Sequence, residues 1–95
     1  MGTIESNQEK MDRLDEQMRD LFVERMETMK DIAEEKIDHD EVVYDAEREN
    51  GIYERLMNQF DDVEFEKYYQ KFLRCVLDVS KEYQKDLVMR STYEE

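Results

Sequence analysis

Apolar residues recur every three or four positions early in the chain: Met11, Leu14, Met18, Leu21, then Met29 and Ile32. That period marks one face of an α-helix. Continuing it places Arg25 and Lys36 on the same face. A buried charge without a partner is strongly unfavourable. Two cations on an apolar stripe therefore call for an anion, either an internal carboxylate or a ligand. The same pattern predicts a first helix from about Ile4 to Ile37, roughly 50 Å long at 1.5 Å per residue. A helix of that length cannot fold back on itself within a small globule, and it suggests coiled-coil-like pairing with another chain.

The segment Asp38-His39-Asp40-Glu41 is polar and reads as a connector. A second helix is predicted from Asp45, a good N-cap residue, to about Asn58. Asp61 and Asp62 offer a cap for a third helix from about Val63 to Met89, with Phe65, Tyr69, Leu73, Val76, Val79, Tyr83 and Leu87 on its apolar face. Residues 1–5 and 91–95 read as frayed ends of one domain spanning 1–95. No strand pattern appears. Asn50-Gly51 is a hairpin signal elsewhere, but its flanks are helical in period, so Gly51 reads as a glycine tolerated inside a helix at a cost of about 1 kcal/mol. The absence of proline agrees with an all-α chain of three helices.

Polar residues interrupt the inward faces of the later helices too. Asp45, Arg48, Glu49, Ile52 and Leu56 share one face of the second. Ser80 and Gln84 continue the line of Leu73, Val76 and Leu77 on the third. Each has a plain structural reading. Arg25 pairs with Glu49, Lys36 snorkels to water near a helix end, Asp45 is an N-cap, Ser80 bonds back to its own helix, and Gln84 is solvated. Jointly they form a set rich in donors, suited to a small molecule carrying carboxylates and hydroxyls.

Charge narrows the partner. The 95 residues carry a formal net charge of -13. Such a field repels nucleic acid, whose recognition needs a basic footprint. Any anion site must be a small, locally positive pocket. No apolar run is long enough to span a bilayer, and no signal peptide is apparent. The minimal myristoylation pattern of Gly2 and Ser6 stands in acidic flanks that oppose membrane anchoring. Cys75 is the lone cysteine and His39 the lone histidine. One cysteine fits a reducing compartment, the cytoplasm, and no Cys/His cluster has metal-ligand spacing. Cys75 lies among Phe72, Leu73, Val76 and Leu77, so it reads as a packed core thiol.

Three blocks, in order and at fitting separations, resemble the all-helical class of chorismate mutases. They are Leu14-Asp15 through Leu21–Met26 to Ile32–Lys36, with its Arg and Lys eleven residues apart; Val43-Tyr44-Asp45-Ala46-Glu47-Arg48-Glu49; and Leu77–Gln84 with its S-x-x-x-Q element. The resemblance covers nearly the whole chain. It implies a homodimer of three-helix protomers that exchange their long first helices around two active sites. It also implies a unimolecular Claisen rearrangement of chorismate to prephenate, in aromatic amino acid biosynthesis, with no cofactor and no metal. By the same resemblance Lys36 and Gln84 donate to the ether oxygen and Arg25 clamps a substrate carboxylate. Arg48 and Ser80 support carboxylate binding, and Glu49 and the Asp45 region receive the ring hydroxyl.

One position departs. The family carries another arginine where this chain has Gln8, which would serve the partner's site across roughly 25 Å of helix. Lys10 and Arg13 are nearby but project from other sides. Losing one charged contact to a buried carboxylate costs roughly 2–4 kcal/mol. The expectation is therefore a mutase with weakened binding or turnover, or one with a rearranged cation. The alternatives are a mutase-like module that binds chorismate, prephenate or a partner enzyme, and a purely structural acidic helical dimer.

Overall fold

The computed structural model describes residues 4–93. Gly2 and the final Glu94 and Glu95, about which the sequence made predictions, lie outside the described residues. Three helices follow one another: α1 (Asn7–Asp38), α2 (Ala46–Gln59) and α3 (Glu66–Tyr93). No strand occurs among the described residues.

Capping chemistry sets each boundary. The Ser6 hydroxyl accepts from the Glu9 backbone N–H at 3.1 Å, so α1 starts at Asn7 and not at Ile4. Ser6-Asn7-Gln8-Glu9 has the S-x-x-E spacing of a capping box. The other end of α1 closes with two bonds, Glu41 N–H to the Lys36 carbonyl at 2.8 Å and Asp40 N–H to the Ile37 carbonyl at 3.1 Å. This is a Schellman closure, with Asp40 at φ 55° in the left-handed position where glycine is usual. The Asp45 carboxylate caps α2 as expected, accepting from Glu47 N–H at 3.0 Å and Arg48 N–H at 3.3 Å. Gly51 lies inside α2. Asp62 accepts from the N–H groups of Glu64 and Phe65. The turn it shapes occupies residues 63–65, so α3 begins at Glu66, later than Val63. It then continues through Ser91 and Thr92 to Tyr93, past the expected stop at Met89.

Both α1 and α2 pack on α3 and not on each other. The core is small: Ala33, Val43, Leu73, Leu77 and Leu87 are buried, with Ser80 among them. Val43, from the connector, joins Ala33 and Leu87, with Ile37 and Tyr83 packed around them. Two members of the expected α3 face lie elsewhere. Phe65 and Val79 are 54% and 41% exposed. They belong to a second stripe, Phe65, Tyr68, Phe72, Cys75 and Val79, which faces away from both other helices. Cys75 is accordingly exposed and not a core thiol. Every residue of 4–24 is also exposed, including Met11, Leu14, Met18 and Leu21. The molecule is drawn out to 58 × 30 × 18 Å.

Candidate active site

A cavity of about 180 Å³ lies where the second half of α1 faces the start of α2 and the middle of α3. It is smaller than the roughly 300 Å³ at which drug-sized sites begin, and suits a compact metabolite. α1 contributes Arg25 and Lys36, with Met29 and Ile32 between them. α2 and its cap contribute Asp45, Arg48, Glu49 and Ile52. α3 contributes Leu77, Ser80 and Gln84. The periodicity of each helix places these side chains on its inward face, and the Schellman turn after Lys36 brings the next helix back over them.

Arg25 is half-buried. Its guanidinium donates to the Ser80 hydroxyl and meets the Met29 sulfur at 3.4 Å. It does not pair with Glu49. The Ser80 hydroxyl donates in turn to the Val76 carbonyl at 2.8 Å. The back-bond expected of a mid-helix serine is therefore present, and the oxygen also serves Arg25. A neutral hydroxyl fixes the cation while leaving its charge unspent. Lys36 and Arg48 likewise have no carboxylate within 4.0 Å. Among the described residues the ion pairs within 4.0 Å are Arg13–Glu5 and Arg19–Asp20, both in the exposed stretch 4–24. Most cations of the chain make no such pair, so what distinguishes Arg25, Lys36 and Arg48 is that all three line one cavity.

The cavity also holds two acids. Asp45 is engaged in capping α2. Oε2 of Glu49 is buried with no hydrogen-bond partner, an orphaned acceptor that a ligand hydroxyl would satisfy. Glu49 acts on a residue that sequence reasoning did not assign to the site, Tyr44. The Tyr44 pKa is raised above the ordinary tyrosine value, first by hydrogen bonding to the Glu49 carboxylate and then by desolvation, against an opposing pull from Lys81. Tyr44 and Val43 both line the cavity. Their connector position carries no periodic signal; only the residue before an N-cap aspartate marked the place.

Gln8 is not part of this cavity. It sits in the first turn of α1, exposed, roughly 25 Å of helix from Arg25. Among the described residues no group of three or more His, Cys, Asp or Glu could hold a metal ion.

The sequence matches the model of the chorismate mutase type II family over residues 7–85. The chain belongs to that family. No curated protein and no solved structure matches it. Within a chorismate mutase domain, the cavity combines unpaired cations, neutral donors and one orphaned acceptor. No helix among the described residues is long and apolar enough to cross a membrane.

Proposed function

We propose that the protein is an active chorismate mutase, converting chorismate to prephenate in aromatic amino acid biosynthesis. The observation that carries this reading is the set Arg25, Lys36 and Arg48, which line one cavity with no carboxylate partner within 4.0 Å among the described residues. The substrate is a dianion, and a dianion is what such a set lacks.

The rearrangement needs no nucleophile and no proton transfer. One C–O bond breaks as one C–C bond forms within the same molecule. The protein's contribution is to hold the reactive chair-like conformer and to stabilise the charge that grows on the ether oxygen. Lys36 and the Gln84 amide donate to that oxygen. Gln84 suits this task because a carboxylate there would repel it. Arg25, held by Ser80, clamps one carboxylate, and Arg48 supports the other. Glu49 accepts the ring hydroxyl, while Asp45 caps the start of α2.

The proposed assembly is a homodimer with exchanged first helices. Its support is the bare half of α1. Helices in proteins draw most of their stability from packing an amphipathic face, and the Met11, Leu14, Met18, Leu21 stripe has the same three-four spacing as the uncovered stripe on α3. Laid across a partner, α1 would carry Gln8 to the partner's cavity, where it donates a hydrogen bond without a charge. That neutral residue favours one second reading, a module that binds chorismate or prephenate but turns it over poorly.

Loss of chorismate absorbance on adding purified protein tests the proposal. The wild type is expected to turn chorismate over, and Lys36→Ala to lose on the order of 10²–10³-fold in kcat, as for removal of a preorganised donor. A folded wild type that leaves chorismate unchanged, yet binds prephenate, would select the second reading.

A further inference from the structure

Tyr44 stands between two cavities. It lines the 180 Å³ site and also a neighbouring space of about 660 Å³ bounded by the connector and the end of α3, which Gln84 and Lys85 share. Two lysines of α3 sit over its ring. Lys81 Nζ is 5.0 Å and Lys85 Nζ 5.9 Å from the ring centroid, within cation–π range.

This placement runs against the local sequence. Lys81 and Lys85 are one helical turn apart, where like charges repel. Each has a carboxylate three residues earlier, Asp78 and Glu82 respectively, the spacing at which helical ion pairs form. Neither lysine makes that pair within 4.0 Å. Both turn to Tyr44 instead, at the edge of a site already holding unpaired cations.

The charge requirement explains why. The cavity's three cations share it with the carboxylates of Asp45 and Glu49, so its formal net charge is only one positive unit against a dianionic substrate. The position from which the family supplies a further arginine holds Gln8. Arg13, the nearest arginine to it, is tied to Glu5 at 3.2 Å.

We propose that Lys81 and Lys85, perched on Tyr44, form a cationic collar that draws a dicarboxylate into the site and offsets the charge missing at Gln8. The inference rests on the mutase reading. The collar acts on capture and not on the bond rearrangement. At physiological salt the Debye length is about 8 Å, which screens the acids beyond it and leaves Lys81 and Lys85 to act against the neighbouring Asp40, Glu41, Asp78 and Glu82. At low salt it lengthens to about 30 Å at 0.01 M, and the net charge of -13 opposes capture.

The experiment compares wild type, the pair Lys81→Gln with Lys85→Gln, and the pair Lys81→Arg with Lys85→Arg. Chorismate turnover and prephenate binding by calorimetry are followed from low to high salt. The glutamine pair is expected to lose on the order of tenfold in kcat/KM and in prephenate affinity at physiological salt, with kcat within about twofold of wild type. Its affinity should also fall less steeply with added salt, or rise. The arginine pair should behave as wild type. A glutamine pair that matches wild type throughout overturns the collar alone, as does an arginine pair that fails with it. A wild type that neither turns over chorismate nor binds prephenate overturns the mutase reading and the collar together.

Discussion

Ser80 is the smallest side chain in the site and the one that sets Arg25. It accepts from the guanidinium and donates to the Val76 carbonyl. Ser80→Ala would leave a half-buried cation free to turn toward Glu49 or solvent. A hydrogen bond to a charged group is worth about 1.5–3 kcal/mol. The variant is expected to stay folded by circular dichroism and to lose about tenfold or more in kcat/KM, read by the chorismate assay. Arg25, Lys36, Ser80 and Gln84 were legible in the sequence because each breaks an apolar stripe, and helical period alone puts such breaks on the inside. Tyr44 was not legible. It lies in a connector, where period says nothing, and its neighbours are decided by the turn that precedes it. The apolar residues around Cys75 misled for a related reason. Apolar neighbours in sequence occupy all sides of a helix, and Cys75 lies on the side that neither α1 nor α2 covers.

Among elements, the connector and α2 hold opposite mismatches between residue and backbone. Asp40 occupies a left-handed position, φ 55°, without the freedom of glycine. Gly51 sits inside α2, where a Cβ would meet nothing within 4 Å. Asp40→Gly is expected to relieve roughly 1 kcal/mol of backbone strain, less the entropy glycine loses on folding. Gly51→Ala is expected to add about 0.5–1 kcal/mol. The two sites share no contact, so the gains should add, and urea denaturation midpoints of the single and double variants would check this. Helix existence was plain in the sequence, whereas the ends were not. The Ser6 cap moved one boundary inward, the Asp62 turn moved another, and the end of α3 carried no glycine or proline to mark it.

At the scale of the whole molecule the packing is light. Its buried apolar residues among those described are Ala33, Val43, Leu73, Leu77 and Leu87, and small domains bury only roughly 60–70% of their unfolded surface even when compact. Sedimentation equilibrium is expected to show a dimer, with a melting temperature that rises with protein concentration as mass action requires. A monomer with a concentration-independent transition would refute the exchanged assembly. The expectation of a partner rests on helix length alone. It did not show which surface of α3 is left uncovered, because that depends on where α1 and α2 settle on it.

The bare half of α1 has a consequence for the life of the chain in a cell. A helix held by no tertiary contact frays easily, and a frayed segment is what a protease needs in order to cut. Newly made chains that fail to find a partner would be clipped within residues 4–24 before any other part is attacked. In the exchanged assembly proposed above, the abundance of the protein would then follow how quickly two chains meet after synthesis.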